Sequence, residues 1–339
     1  MRLLRETGSL GNLLALSMDS AVRLTGETEE LLAPLLEPPE TDATRKAREL
    51  LRAADARAVV LGDEEYPALL AEIPDPPPVL FLRGRALGDE PAVALVGSRA
   101  ATAVGLETAR FLSRGLAEAG VNVVSGFARG IDTAAHEAAL DAGGPTVAVF
   151  ACGVDVCYPR SNAALLRRLL PHGTAVSEHV PGTEPQPFHF PVRNRIIAGL
   201  SSLVVVVEAA EKSGSLITAR LANEYGRDVG AVPGPVLTPA FAGANALLKD
   251  GAILVRSAAD ILAELPGALQ GTPTQASLPL LSAEASSVHD ALDAVRGTDA
   301  DALLAATRLS PSRLASALAE LELEGLVTAL PGGTFLRRG

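Results

Sequence analysis

Short, continuous apolar runs alternate with amphipathic stretches between about residues 90 and 265. Continuous Val-rich runs are typical of strands buried on both faces, as in parallel sheets. Their alternation with stretches of helical periodicity predicts a doubly wound α/β fold, an extended Rossmann-like sheet. The predicted strands are Ala92–Val96, Val121–Ser125, Thr146–Phe150, Thr174–Ser177, Leu203–Val207, Val229–Val232 and Ala252–Val255. The predicted helices are Gly105–Ala119, Thr133–Ala142, Ala163–Leu170 and Leu216–Tyr225.

The N-terminal region shows a different pattern, with leucine and alanine at helical spacing in Leu10–Leu16 and again in Ala43–Ala54. Several prolines interrupt it, and the proline-rich segment Ile73–Pro78 favours a stiff, extended link. We therefore predict a helical domain over residues 1–85, followed by the α/β core over residues 86–265.

The C-terminal region begins with a stretch over residues 266–287 that is rich in Pro, Gly, Thr, Gln and Ser and has little periodicity. This composition predicts a flexible linker. Residues 288–339 then predict two or three helices, one of them with Ser310 as N-cap and Pro311 in the first helical position. A hairpin turning at Pro331–Gly333 follows, and this order of elements is that of a winged-helix domain.

Composition limits the classes of function. The chain has 339 residues and a formal net charge of −11, which argues against a uniformly positive surface for nucleic acid but leaves room for a local basic groove. No apolar run reaches the roughly 18 residues that a membrane span needs, and the N-terminus has no apolar signal core. Cys152 and Cys157 give neither a disulfide framework nor a zinc site. We expect a cytoplasmic protein that binds no membrane and no metal.

Polar loops directly follow several predicted strands, where ligands collect in doubly wound sheets. Gly97–Arg99 follow the first strand, residues 126–132 the second and residues 208–215 the fifth. The segment Phe188–Ser201 starts a predicted helix with two arginines and two aromatic residues just before the fifth strand. Arginine offers a planar charged fork to phosphates, and an aromatic ring offers a face to a base. The pattern therefore favours an anionic, base-bearing polymer as ligand.

Arg99, Arg129, Arg193 and Arg195 all lie on strand-end loops or helix starts, so the fold can gather them along one edge of the sheet. Any one of them could instead pair with an acidic neighbour such as Glu178 in a structural network. For the four arginines together, binding of phosphates is favoured.

A nucleotide-processing or nucleoside-monophosphate-processing Rossmann-like enzyme is the alternative. No G-x-G-x-x-G follows the first strand, and Lys212 lacks the glycine frame of a P-loop. His136 beside Asp132 could act as a general base, and Glu178 with Glu208 as an acid pair. No nucleophile accompanies them, so we favour structural roles for all four. We predict no catalytic residue and no cofactor.

An ordered series of motifs covers most of residues 60–262. It comprises Val96–Arg99, Ser125–Asp132, Gly153–Pro159, Phe190–Ser201, Val207–Ala209, Ser213–Ala219 and Val232–Gly234. In these motifs the chain closely resembles the DNA-processing protein A family (DprA, also called Smf). Phe127 stands where the family more often has a smaller aliphatic residue, and Ala242 where a serine is common.

The resemblance implies a single-stranded DNA-binding protein that protects incoming DNA, forms a homodimer and helps load RecA during natural transformation or recombination. It implies no enzymatic activity, and it makes single-strand-binding protein a further candidate partner. It also implies a sterile-alpha-motif-like N-terminal domain and a winged-helix-like C-terminal domain. The candidate DNA-binding residues are Gly97, Ser98, Arg99, Phe127, Arg129, Gly130, Phe190, Arg193, Asn194, Arg195, Lys212, Ser213, Gly214 and Ser215.

The expected mechanism is that the four arginines contact phosphates beside loop amides while Phe190 or Phe188 stacks a base. Such binding is tolerant of sequence and strongly dependent on salt. The winged-helix-like domain contributes little to it, because its second helix sets Arg313 against several glutamates.

Overall fold

The computed structural model describes residues 17–30, 32, 42–88, 90–265, 281–292, 297–323, 326–330 and 334–337. The chain divides into two compact units, Met1–Ala268 and Leu269–Gly339. The strands of the first unit, β1 to β9, are Ala56–Val60, Val79–Gly84, Ala92–Gly97, Asn122–Ser125, Thr146–Val149, Thr174–Ser177, Leu203–Glu208, Asp228–Ala231 and Ile253–Leu254. Its helices α1 to α10 are Met18–Thr25, Asp42–Ala53, Ala68–Ala71, Ala103–Glu118, Ile131–Asp141, Ala163–Leu169, His189–Gly199, Ser215–Glu224, Ala242–Lys249 and Ala258–Leu262.

The nine strands form one sheet in the order β1-β2-β6-β5-β4-β3-β7-β8-β9. All pairs from β6 to β9 along this order are parallel, whereas β1 and β2 add antiparallel strands at one edge. The chain winds from β3 outwards to β6 and then returns to β7 on the other side of β3. This switch point between β3 and β7 is where ligands bind in doubly wound sheets. The predicted doubly wound α/β fold is confirmed.

Alternation along the central strands explains why both faces of the sheet carry helices. In β3, Val93 and Leu95 join a core with α4, α5 and α10, whereas Ala94 and Val96 join the opposite core with α7, α8 and α9. Successive side chains of a strand point to opposite faces, so an apolar residue at every position requires a cover on each side. The five apolar residues of β7 are buried for the same reason, and Glu208 at its end is buried as well.

The predicted boundary at residue 85 is wrong, because the sheet begins before it. Helices α1 and α2 lie in the predicted helical region, but β1 and β2 pair with each other and β2 pairs with β6. The proline-rich segment at 73–78 therefore leads into an edge strand and not directly into β3. The predicted helical stretch Leu10–Leu16 lies outside the described residues.

The second unit contains helices α11, α12 and α13 (Ala283–Ala291, Ala300–Thr307 and Pro311–Leu323) and strands β10, β11 and β12 (Thr298–Asp299, Val327–Leu330 and Thr334–Arg337). Its strands form a sheet in the order β10-β12-β11. Helix α11 begins inside the predicted linker, whose residues 266–280 lie outside the described part of the chain, as does the predicted turn at 331–333. The predicted winged-helix order of elements is confirmed. No helix of the described ranges is long and apolar enough to cross a membrane.

Candidate nucleic-acid interface

A cavity of about 780 Å³ lies at the switch point between β3 and β7. We call it the groove; its walls are Gly97–Ala100, the first turns of α7 at Phe190–Asn194, and Lys212–Ser215 at the start of α8. Ala128 and Asp132, from the end of β4 and the start of α5, complete it. Its volume falls in the range of about 300–1,000 Å³ that is usual for ligand sites.

Most of the predicted binding residues line the groove: Gly97, Ser98, Arg99, Phe190, Arg193, Asn194, Lys212, Ser213, Gly214 and Ser215. A smaller cavity of about 70 Å³, which we call the side chamber, adjoins it and includes Arg129. Arg99, Ala128, Tyr158 and Phe190 line both cavities. The fold therefore gathers segments more than 100 residues apart into one continuous surface.

Three exposed cations surround the groove and side chamber: Arg99, Arg129 and Lys212. Among the described residues, their charged groups make no ion pair and no hydrogen bond. The Arg99 guanidinium lies 4.9 Å from the centroid of the Phe190 ring, a cation–π contact that leaves its donors available. These charges can therefore reach phosphates without first breaking an internal pair.

The N-terminus of α8 forms one wall of the groove. Gly214 stands at its N-cap position and has no side chain to cap the helix, and the Ser213 hydroxyl accepts from the Ser215 N–H at 3.4 Å. Backbone N–H groups at such an end carry partial positive charge and bind anions. Asn194 donates to the Gly214 carbonyl at 3.4 Å and so connects α7 to this turn.

Buried Glu208, at the end of β7, holds the loop between β3 and α4. Its backbone carbonyl accepts from the Ser98 N–H at 2.8 Å. Its carboxylate, which is 0% exposed, accepts from the Thr102 N–H at 3.1 Å and from the Thr102 hydroxyl at 2.6 Å. Both ends of the loop that carries Arg99 are thus fixed to one residue. Glu208 is a positioning residue, in line with the structural role favoured from the sequence.

Arg193 differs from the expectation of an exposed phosphate contact. Its side chain lies at the floor of the groove, 3% exposed, and donates to the Val149 carbonyl at 3.1 Å, whereas its Nε has no partner among the described residues. Gly126 makes room for it, because a Cβ there would overlap the guanidinium. Burial lowers the pKa of Arg193 to about 10, and the charge of buried Asp132 opposes that change. Arg193 and Asp132 therefore form a buried pair of opposite charges that interact electrostatically, with no direct ion-pair contact between them among the described residues.

Asp132 is the other half of this pair. Burial raises the pKa of its carboxyl group, while the charge of Arg193 and a hydrogen bond from the Ala128 N–H lower it. His136, one turn further along α5, bonds to the Thr146 hydroxyl at 2.7 Å, and burial lowers its pKa to about 3. A neutral, fully buried imidazole of this kind is a structural residue.

Three further predicted site residues do not line either cavity. Arg195 forms ion pairs with Glu178 and with Asp75, the latter at 3.3 Å, so it belongs to a structural network. Phe127 is 1% exposed and stacks on Phe150 with ring centroids 4.9 Å apart, so its side chain is part of the core.

Gly130 is the third. It stands at the N-cap of α5 with a φ of 80°, a conformation that favours glycine. A Cβ there would clash with the Ser98 carbonyl. Gly130 therefore permits the close approach of two loops but does not itself line the groove.

Tyr158 is the groove residue that sequence reasoning missed. It lines both cavities, is 46% exposed, and places its ring 5.6 Å from that of Phe190. The available signal was its place in the motif Gly153–Pro159, after β5 and at the same edge of the sheet. Among the described residues, no group of three or more His, Cys, Asp or Glu side chains is arranged to hold a metal ion.

Together, the fold and the groove define a Rossmann-like protein with a cation-lined groove at its switch point and a separate C-terminal winged-helix module. Residues 57–266 match the family model of DNA recombination-mediator protein A, and residues 272–333 match that of the DprA winged helix domain. The chain belongs to the DprA family of DNA-processing proteins.

Its relatives include the putative DNA processing protein DprA of Mycobacterium tuberculosis, 40% identical over 311 residues that cover 86% of this chain and 80% of that protein. The DNA processing protein DprA of Streptococcus pneumoniae is 48% identical over 203 residues, 60% of this chain and 72% of that one. The X-ray structure of DprA from S. pneumoniae matches with a TM-score of 0.67 and 39% identity over 78% of this chain and 92% of that chain. A structure on the single-stranded DNA binding mode of DNA processing protein A from Helicobacter pylori matches with a TM-score of 0.55 and 29% identity, covering 61% and 95%.

Proposed function

We propose that this protein binds single-stranded DNA in the groove and acts in the cytoplasm as a non-enzymatic mediator of recombination. It protects incoming DNA and helps load RecA in natural transformation or recombination. The observation that carries the proposal is a set of three exposed cations, Arg99, Arg129 and Lys212, that make no ion pair among the described residues. They line the groove or the adjoining side chamber of a protein whose net charge is −11. The single-stranded DNA binding of the H. pylori relative supports it.

The arrangement suits a flexible phosphate chain. The cations and the α8 N-terminus offer several anion contacts along one wall, and Phe190 offers an aromatic edge to a base. Because the net charge of the chain is −11, affinity depends on this local potential and decreases as salt screens it. For single strands the logarithm of affinity falls with the logarithm of salt concentration by about 0.7 per phosphate neutralised.

The test is the fluorescence anisotropy of a labelled dT20 oligonucleotide, measured across a series of NaCl concentrations. Arg99→Ala, Arg129→Ala and Lys212→Ala should each weaken binding and reduce the salt slope by about 0.7. Arg114→Ala is the matched control, because Arg114 is an exposed arginine on α4 that lines neither cavity. Unchanged affinity and slope in all three folded variants would refute the proposal.

The proposal of a non-enzymatic role rests on the structural roles that the candidate acid–base groups already have. Glu208 already accepts hydrogen bonds from Thr102, and His136 is neutral and buried. The nucleotide-processing alternative predicts that mononucleotides compete with dT20 at low concentration and are turned over. Absence of both results would leave the DNA-binding function in place.

The proposed partners are RecA, single-strand-binding protein and a second copy of the chain. Sedimentation velocity would measure the homodimer directly. RecA assembly on oligonucleotides coated with single-strand-binding protein should be faster with the wild-type protein than with Arg99→Ala. Equal rates of RecA assembly with the two proteins would show that RecA loading does not depend on DNA binding through Arg99.

A further inference from the structure

A segment between β1 and β2, residues 66–77, packs against α7, and we call it the strap. It contains α3 and most of the proline-rich stretch. Leu70 and Ile73 of the strap are buried in the core that also holds apolar residues of α7. Gly199, at the end of α7, makes room for them, because a Cβ there would overlap Leu70. Apolar packing therefore holds the strap against α7.

Polar contacts give the strap further anchors. The Tyr66 hydroxyl donates at 2.7 Å to a backbone carbonyl at the far end of the strap, in a buried position. Arg227, which follows the end of α8, donates to the Leu69 carbonyl and to the Glu72 carboxylate, both at 2.9 Å. The strap is thus fixed in place by contacts that do not involve Asp75.

Asp75 connects the strap to both α7 and α8. One carboxylate oxygen lies 3.3 Å from Nε of Arg195 in α7, and the other accepts at 3.2 Å from the hydroxyl of Tyr225, the C-cap residue of α8. Burial and the charge of Asp75 raise the pKa of Tyr225 to about 12, so this hydroxyl is a donor at neutral pH. None of these three residues lines the groove or the side chamber. One carboxylate outside the groove therefore holds both helices.

The same two helices meet at the groove itself. The first turns of α7 and the start of α8 form two of its walls, and Asn194 donates to the Gly214 carbonyl at 3.4 Å. This distance exceeds the usual range for a hydrogen bond, so the contact alone fixes the spacing of the walls only weakly. A second connection between the helices limits their relative movement. A ligand that contacts both walls then binds with a smaller loss of conformational entropy.

We propose that Asp75 is a positioning residue for DNA binding. By holding Arg195 and Tyr225, it fixes the spacing of α7 and α8 and preorganises two walls of the groove for a strand that contacts both. Asp75 makes no contact with the strand. The positioning role rests on the proposed function, because the groove supplies every contact with DNA.

The test is the affinity of Asp75→Ala for dT20, measured by fluorescence anisotropy across the NaCl series. Loss of a negative charge alone would strengthen the binding of an anion, whereas loss of positioning weakens it, so the sign of the change separates the two effects. We expect affinity to fall about three- to fivefold, the scale of an exposed ion pair. The salt slope should equal that of the wild type, because the number of neutralised phosphates is unchanged.

Glu72→Ala is the matched control. It removes the same charge from the strap and breaks another exposed ion pair, with Arg227, but that pair does not reach α7. Its affinity for dT20 should be equal to that of the wild type or slightly higher. Far-UV circular dichroism should show wild-type folding for both variants, since the other anchors of the strap remain.

Tyr225→Phe is a second test, and it changes no charge. It removes one of the two contacts of Asp75, so we expect affinity for dT20 to fall about twofold. The double variant Asp75→Ala/Tyr225→Phe should bind no more weakly than Asp75→Ala, because the hydroxyl acts only through that carboxylate. Fully additive losses would overturn the positioning role. If Asp75→Ala does not fold, wild-type affinity of Tyr225→Phe overturns it.

The outcomes separate the positioning role from the proposed function. If Arg99→Ala weakens dT20 binding while Asp75→Ala binds as tightly as Glu72→Ala, the positioning role is overturned and the DNA-binding groove stands. A salt slope reduced by about 0.7 in Asp75→Ala would indicate a lost phosphate contact and would also overturn it. If Arg99→Ala binds dT20 as the wild type does, the proposed function itself fails.

Discussion

Replacement of Arg193 by alanine should destabilise the protein through Asp132. Both side chains are buried at the floor of the groove, 3% and 8% exposed, and each charge favours the ionised form of the other. Breaking a buried ion pair in direct contact costs about 3–5 kcal/mol, and this is an upper bound here because Arg193 and Asp132 interact without a direct contact. Arg193→Ala should therefore lower the free energy of unfolding by up to this amount at neutral pH.

The loss of stability in Arg193→Ala should depend on pH, in a direction set by the pKa of Asp132. Burial already raises this pKa, and removal of Arg193 takes away the charge that lowers it, so the pKa rises further. The folded variant then holds a proton at Asp132 at pH values where the unfolded chain, with a carboxyl pKa of about 3.9, has lost it. Stability therefore falls as pH rises through this window. We expect Arg193→Ala to lose less stability at pH 5 than at pH 8.

Urea unfolding followed by far-UV circular dichroism at pH 5, 6.5 and 8 is a suitable assay, since the chain has no tryptophan. Arg168→Ala is the matched control: its ion pair with Asp141 is exposed, and such pairs contribute about 0–1 kcal/mol. The double variant Asp132→Asn/Arg193→Met removes both charges and should recover most of the lost stability. The reasoning is refuted if Arg193→Ala unfolds within about 1 kcal/mol of the wild type at every pH, which is no more than an exposed ion pair such as that of the control contributes.

Three other substitutions test the architecture of the interface. Phe127→Ala should lower the free energy of unfolding by about 3–5 kcal/mol, because it removes a buried ring stacked on Phe150. The affinity of the folded variant for dT20, measured by anisotropy, should be unchanged. A loss of affinity without a loss of stability would contradict the role of Phe127 in the core. Glu208→Gln puts an amide donor opposite the Thr102 donors, so we expect the free energy of unfolding in urea to fall by about 1–3 kcal/mol and dT20 binding to weaken. Wild-type stability together with wild-type affinity would rule out the positioning role of Glu208. Gly130→Ala forces a non-glycine residue to a φ of 80° and should lower the free energy of unfolding by about 1–3 kcal/mol, seen as a lower urea midpoint. An unchanged midpoint would show that the backbone relaxes and that glycine is not required there.

The central strands could be predicted because the continuous apolar runs in the sequence agree with burial on both faces of the sheet. From β3 to β8, the interior positions of each strand are apolar or glycine and are buried, as two covered faces require. Strands β1 and β2 could not be predicted in the same way, because their place depends on a partner far along the chain: Phe81 in β2 pairs with Ser177 in β6. Pairing at such a separation leaves no local signal, and the nearby prolines suggested a link.

The helical phase of α7 could have separated Arg193, but not Arg195, from an exposed binding surface. Arg193 lies three and four residues before Ile196 and Ile197, and all three are buried on one face of the helix. The position of Arg195 depends on Glu178 and Asp75, which belong to other elements, so its ion pairs were visible only in the folded chain. Arg99 and Arg129 were predictable as accessible cations because both lie in loops at the edge of the sheet.

The adjacency of β3 and β7 has a consequence for how the chain acquires activity. One wall of the groove comes from Gly97–Ala100 and the opposite wall from Lys212–Ser215, on either side of this strand pair. During synthesis the first wall therefore exists for more than 100 residues before the second has been made. Under the proposed function, a nascent chain that ends before β7 cannot bind DNA in the groove, because the second wall is absent. The ability to bind a ligand is thus acquired late in folding. Two fragments of the chain, separated between β6 and α7, should bind the ligand only after they reassemble.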